Sequence, residues 1–276
     1  TPGVAGGAGT DWPRCASAAV RAWPSSSRPS DGDVFTAAPY FIDRHIDEGR
    51  DGAVAIECED RRVSYAALYE HVNRAGSALK NELDVRPEER VLLLMLDCPE
   101  MVFSFFGAIK IGAVPIPTNT LWTSADVEFA LQDSGAVVAV VSAALYPRVA
   151  EASPRCPRLR HVVVVGGQGD SPALDFDALT SRASSRLAAE PTGRDAPAFW
   201  LYSSGSTGRP KGCVHLQHDM QVCAQAYARG VLGIDASDRC FSVAKLFFAY
   251  GLGNAMYFPL AVGATTILWP GPVAPP

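Results

Sequence analysis

A chain of 276 residues, 48% hydrophobic and 19% charged, is long enough to bury a substantial core and too apolar to be disordered throughout or fibrous. With 24 Lys plus Arg against 29 Asp plus Glu, the net charge of −5 gives no electrostatic ground for nucleic acid or anionic lipid as the main partner, so any anion must be held by a local site. Seven cysteines without a CxxC pair leave at least one unpaired, which favours a reducing cytoplasm over a disulfide framework.

Residues 1 to about 33 are rich in Gly, Ala, Ser and Pro, carry no sustained apolar period, and read as a disordered or extraneous tail. Arg14, Arg21 and Arg28 among few acids give this tail a faint likeness to an organelle transit peptide, which weighs less than a tail without structural meaning. From Ala37 onward strand-like and helix-like stretches alternate, the pattern of βαβ units on largely parallel sheets flanked by helices, and the fold class is α/β. Helical periodicity over Tyr40 to Ile46 precedes a strand near Val54 to Glu57, and Ser64 is placed to cap a longer helix from Tyr65 to Leu83. Val91 to Leu96 is apolar at every position, as a strand covered on both faces must be, and belongs in the middle of a sheet. A helix over Glu100 to Ile111 follows, then a strand Ala113 to Ile116, a helix Ser124 to Asp133, and strands Val137 to Val141 and His161 to Val165. The apolar runs are strand-sized, far below the roughly 20 residues a membrane span needs, so no membrane partner is expected. Gly167 and Gly169 follow a strand as in a dinucleotide-binding loop, but Pro172 takes the third glycine position and a surface turn is expected instead. No His, Cys, Asp and Glu cluster has transition-metal spacing, and no metal ligands are assigned.

After the strand-like Ala198 to Leu201 comes YSSGSTGRPKG, Tyr202 to Gly212, where three features converge. Gly205, Gly208 and Gly212 free the backbone to bring N–H groups close to an anion; Ser203, Ser204, Ser206 and Thr207 add hydroxyls; Lys211 adds a positive charge. An ordinary flexible Gly/Ser loop is the bland alternative, but it does not account for the Pro-Lys-Gly ending. A Walker A loop is excluded, because Pro210 stands where its second glycine should be and Gly212 where its Mg-binding hydroxyl should be. The segment Cys213 to Leu216 reads as a strand, so the anion would not sit on a helix N-terminus.

This loop, SSGSTGRPKG, is similar to the signature of the adenylate-forming superfamily, which includes acyl-CoA and aryl-CoA ligases, luciferases and peptide-synthetase adenylation domains. VSYAAL (Val63 to Leu68) and FFGAIKIGAVPIPTNT (Phe105 to Thr120) resemble two further family segments. KLFFAYGLGNAMYFPLAVGATTIL (Lys245 to Leu268) and VHLQHDM (Val214 to Met220) resemble the benzoate–CoA ligase branch. The resemblance covers about Ala37 to Leu268. It implies that residues 34–276 are the incomplete N-terminal part of the large AMP-binding domain of an adenylate-forming enzyme, with the C-terminal domain absent.

The resemblance also implies two half-reactions: a carboxylate attacks the α-phosphate of Mg-ATP to give acyl-AMP and pyrophosphate, then the thiol of coenzyme A displaces AMP. ATP, Mg2+ and coenzyme A are the implied cofactors and co-substrates. Ser203, Ser204, Gly205, Ser206, Thr207, Gly208 and Lys211 would hold the β- and γ-phosphates, with Thr207 and Lys211 as the catalytic pair. Phe247, Phe248, Ala249, Tyr250 and Gly251 supply no carboxylate for an amino-acid ammonium, and apolar walls with small residues suit a flat ring. By their match to the branch-like segment, Ala249, Tyr250 and Gly251 are the expected substrate contacts, joined by His215 from the second such segment, for which a surface or core histidine is equally open; for Phe247 and Phe248 core and pocket are equally open.

His218 is expected exposed at a helix start, Lys245 solvated, and Lys110 at the C-terminal end of its helix as a dipole partner. The family segments for adenine, Mg2+ and ribose have no counterpart, so the chain on its own is expected to be inactive, with a strand edge uncovered at Leu268. Two alternatives fit the same residues: a fatty acyl-CoA ligase fragment, and a noncatalytic nucleotide-binding remnant.

Overall fold

In a computed structural model, which describes residues 34–167, 172–203 and 208–272, the alternation resolves into more than one sheet. A π turn over Pro39–Asp43 runs into helix α1 (Arg44–Asp47), giving the helical stretch expected there. Strand β1 (Val54–Cys58) doubles back into β2 (Arg61–Ser64), which sequence reading did not separate because only Val63 of its four residues is an apolar core residue. Ser64 then caps α2 (Tyr65–Ser77) by accepting the Ala67 N–H at 3.2 Å, and the helical path continues as a π turn through Glu82.

Strand β3 (Arg90–Leu94) leads to α3 (Pro99–Lys110), a helix buried on every side. Strand β4 (Val114–Pro117) follows, then α4 (Ser124–Ser134) with a Thr123–Asp126 capping box and a left-handed Gly135 at its end. Next come β5 (Val138–Ser142), α5 (Tyr146–Ala152), β6 (His161–Val165), β7 (Leu174–Asp175) and α6 (Phe176–Arg182). Gly166 and Gly167 take positive φ at the expected turn, and residues 168–171 lie outside the described residues. The chain continues through β8 (Pro197–Ser203), β9 (Lys211–Leu216), α7 (Asp219–Cys223) with its π extension to Arg229, and β10 (Arg239–Phe241). It ends in α8 (Ala249–Leu252), a π turn to Tyr257, α9 (Phe258–Val262) and β11 (Thr265–Leu268).

One sheet has the order β4-β3-β5-β6-β7 and every neighbouring pair in it is parallel. β3 is interior, and its alternation explains its unbroken apolar run. Val91 and Leu93 join the core around α2 and α3, while Leu92 and Leu94 join the opposite layer around Val127 and Leu131. α2 and α3 cross closely because glycines meet there: a Cβ on Gly107 would lie 2.7 Å from the Gly76 nitrogen. A mixed sheet has the order β10-β11-β1-β2. The strand ending at Leu268 is therefore no edge, since β11 pairs with β1 on one side and β10 on the other; the short β10 takes the edge instead. β8 and β9 form an antiparallel hairpin, and Trp200 packs it against Val114 and Ile116 of β4.

Lys110 does not act as a solvent-side helix cap. Its side chain is 0% exposed, and Nζ donates to both carboxylate oxygens of Asp43 and to Asn73 Oδ1, each at 2.7 Å, with the Tyr69 ring 4.9 Å below. Burial pulls its pKa down while Asp43 opposes the shift, and a buried lysine without that carboxylate would be costly. The pair ties the first helical turn to α2 and α3. Among the described residues no helix is long and apolar enough to cross a membrane.

Candidate functional site

The β8–β9 hairpin carries the glycine- and hydroxyl-rich segment at its open end. Ser203 and Lys211 are register partners at the mouth and both are exposed; the next pair inward is Tyr202 and Gly212. Tyr202 anchors that end to the parallel sheet's helical layer, its hydroxyl donating to Asp133 Oδ2 at 2.8 Å. Gly208 has φ of 101°, a left-handed conformation that a glycine adopts without strain. Ser204, Gly205, Ser206 and Thr207 lie outside the described residues. The hairpin thus holds Lys211 and Ser203 at either foot of the loop, both facing solvent, with the exposed Arg209 beside them over the Phe129 ring.

Four residues along β9 from Lys211, His215 reaches a cavity of about 350 Å3. Phe199 and His215 come from the hairpin, Cys223 and Tyr227 from the helical stretch after it, and Ala249 and Tyr257 from the C-terminal helices. The His215 ring stacks on Phe199 with centroids 4.5 Å apart and planes 5° from parallel. Its Nδ1 is 3.7 Å from Asp219 Oδ2, which itself accepts the Leu216 N–H at 2.9 Å. Burial lowers the His215 pKa and Asp219 opposes that shift.

Of the expected substrate contacts, Ala249 and His215 share this cavity, whereas Tyr250 and Gly251 do not line it. Tyr250 is 68% exposed beside it in sequence. Gly251 is buried against the preceding turn: a Cβ there would lie 2.2 Å from the Lys245 carbonyl oxygen. Its role in the structure is thus to let α8 seat on that turn. Phe247 is buried and Phe248 half-exposed, and both line a neighbouring pocket of about 380 Å3 with Asp97 and Lys245.

Two lysine and histidine expectations are corrected here. Lys245 is half-buried and partnered: Nζ donates to the carbonyls of Trp269 at 2.6 Å and Gly271 at 2.7 Å, and lies 3.8 Å from Asp97. His218 does stand at a helix start, but its ring is half-buried, with Nδ1 2.9 Å from the Arg194 carbonyl oxygen. Sequence reading missed Phe199 and Tyr257 as cavity walls because each sits in an apolar stretch indistinguishable from core, and Cys223 and Tyr227 because they lie on a mixed helical stretch outside every segment singled out. It also missed Asp97, 5% exposed, whose carboxyl burial pushes up to about 6 against the Leu246 N–H and Lys245. No group of three or more His, Cys, Asp or Glu side chains that could hold a metal ion occurs among the described residues.

The family described as AMP-binding enzyme matches residues 42–276. The chain belongs to that family. It is 47% identical over 234 residues to the benzoate–CoA ligase of Thauera aromatica, covering 85% of this chain and 44% of that protein. It is 39% identical to the 4-hydroxybenzoate–CoA/benzoate–CoA ligase of Rhodopseudomonas palustris, with 86% and 43% covered. Among solved structures, an anthranilate CoA ligase in complex with anthranoyl-AMP superposes with a TM-score of 0.83 at 36% identity, covering 86% of this chain and 46% of that one. A benzoate CoA ligase from Burkholderia xenovorans LB400 superposes with a TM-score of 0.78 at 39% identity over the same shares. The chain therefore spans less than half the length of the relatives it matches.

Proposed function

We propose that this chain is the N-terminal part of an aryl acid–CoA ligase, which activates an aromatic carboxylate with ATP through aryl-AMP to the CoA thioester. The observation that carries this reading is the sharing of strand β9. Lys211 stands at the loop's foot and His215, four residues on, at a cavity walled by Phe199, Ala249 and Tyr257. A phosphate-holding loop and an apolar ring-sized space on one strand are what acyl-adenylate formation requires.

In the first half-reaction a carboxylate oxygen forms a bond to the α-phosphorus and the bond to the pyrophosphate oxygen breaks; in the second the coenzyme A thiol replaces AMP and loses its proton. Ser203, Ser204, Gly205, Ser206, Thr207, Gly208 and Lys211 would donate to the β- and γ-phosphates, Thr207 and Lys211 carrying most of the effect as pyrophosphate departs. Ala249 would border the ring, His215 on Phe199 would form another wall, and Tyr250 and Gly251 would act from the rim and from behind. The described residues hold no carboxylate cluster for Mg2+, so no step is assigned to the metal beyond its accompanying ATP. Residues 34–276 would be the partial AMP-binding domain preceded by a tail, working in the cytoplasm where ATP and coenzyme A are found.

A fatty acyl-CoA ligase is disfavoured by the aromatic walls and the volume of about 350 Å3. Titration of the chain with benzoyl and decanoyl sulfamoyl adenosine tests the reading. Tighter binding of the benzoyl compound is expected; preference for the decanoyl compound would overturn the aryl assignment, and binding of AMP with no response to either acyl group would favour a nucleotide-binding remnant.

A further inference from the structure

The turn that launches α8 is held from two directions by charged groups. Asp97, just beyond β3, accepts the Leu246 N–H on Oδ1 at 3.1 Å. Lys245 reaches the other way and closes on the Trp269 and Gly271 carbonyls, the first residues after β11. Its own carbonyl accepts the Phe248 N–H at 3.0 Å, and the Phe248 carbonyl accepts the Leu252 N–H at 2.8 Å, so the hold passes directly into α8. Gly251 rests on the same Lys245 carbonyl, with no room for a side chain between them. Three stretches far apart in sequence therefore meet at residues 245–246, four residues before Ala249.

We propose that Lys245, with Asp97, is a positioning residue for the acyl pocket: its ammonium fastens the strand exit at 269–271 to the turn that sets α8, and so fixes where Ala249 stands. The inference rests on the aryl-ligase reading for what the pocket receives, but not for the fastening itself. A half-buried ammonium that donates to two carbonyls and lies 3.8 Å from a buried carboxylate makes charge-assisted hydrogen bonds that a neutral side chain cannot match.

The variants are Lys245→Met, which keeps length and removes the charge, and Lys245→Arg, which restores a cation with donors. In the 276-residue chain, hydrogen exchange at the Leu246, Phe248 and Leu252 amides should quicken by about tenfold in Lys245→Met and return towards native in Lys245→Arg, with β3 and β5 unaltered. Benzoyl sulfamoyl adenosine should bind Lys245→Met about tenfold more weakly while AMP affinity stays within about twofold. Should Lys245→Met not fold, Asp97→Asn carries the test, since it keeps an acceptor for Leu246 and removes the opposing charge; exchange should quicken at Phe248 and Leu252. Unchanged exchange at these amides in the folded variant, or equal weakening of the benzoyl compound and AMP, would overturn the proposal. A native chain that binds AMP but not the benzoyl compound would sink the aryl reading alone, and the exchange pattern with its arginine rescue would still decide the positioning role.

Discussion

Lys211 is exposed at the foot of the hairpin loop and makes no ion pair among the described residues, which leaves its charge to a ligand. Replacing it with alanine, in a chain extended to the full length of its benzoate–CoA ligase relatives, should cost on the order of 1.5–3 kcal/mol in the pyrophosphate-forming step. Thioester formation from supplied aryl-adenylate should change much less, and rapid-mixing measurements of the two half-reactions check this. Two buried groups make the stability against pH a second test. Asp97 is raised to about 6 by burial, so the folded state holds its proton more tightly than the unfolded chain, and its contribution is lost as pH rises from about 4 through 6. His45 is 0% exposed and is lowered to about 4; its Nε2–H donates to the Leu260 carbonyl at 2.7 Å while Arg50 donates to Nδ1. It must charge on acidification, so its contribution is lost as pH falls from about 6.5 through 4. Each effect is on the order of 3 kcal/mol and they oppose one another. Relative to the native chain, urea unfolding at stepped pH should therefore show a steeper fall on acidification in Asp97→Asn and a shallower one in His45→Gln.

The short helix α8 depends on a glycine for its seat and an alanine for its open face. Gly251→Ala would push a methyl into the Lys245 and Ala244 carbonyls, and the backbone must shift. A loss of about 1–3 kcal/mol is expected, read as a lowered thermal midpoint. Ala249→Leu fills cavity volume instead, and should crowd a ring-substituted benzoate more than benzoate itself. Unchanged relative efficiencies across such acids, in the extended chain, would remove Ala249 from the ring's surroundings. At this scale the sequence was most legible where periodicity was strong or joined by a cap: Ser64 before α2, and the unbroken Val91–Leu94 of β3. It was least legible where an element is short or its signal is one residue deep, as in β2, β7 and β10. The partners of Lys110, which does end its helix, and of Lys245 were missed for one reason. Lysine ordinarily faces water, and only the fold shows that Asp43 waits for one and two carbonyls for the other. Tyr250 and Gly251 were assigned by segment likeness, which places a stretch near a site without saying which side chains face it.

As a whole molecule, the chain presents among its described residues a parallel sheet, a mixed sheet and a hairpin, and under the proposed function the hairpin loop and the cavity would make part of a nucleotide and acid site. The 234 aligned residues correspond to 44% of the Thauera aromatica benzoate–CoA ligase. Alone they should not form a CoA thioester at a useful rate, because a reacting carboxylate held loosely by about 1 Å can already cost on the order of a hundredfold. Assay of the purified, folded chain for thioester formation checks this, and turnover near that of an intact ligase would refute it. The central claim, aryl-acid activation with phosphates held at the hairpin, is tested most directly by acid-dependent ATP–pyrophosphate exchange in the extended chain, with benzoate against decanoate and with Lys211→Ala as control. Exchange driven by benzoate, weak with decanoate and lost in Lys211→Ala is the expected result; exchange driven by decanoate, or by benzoate undiminished in Lys211→Ala, would contradict it.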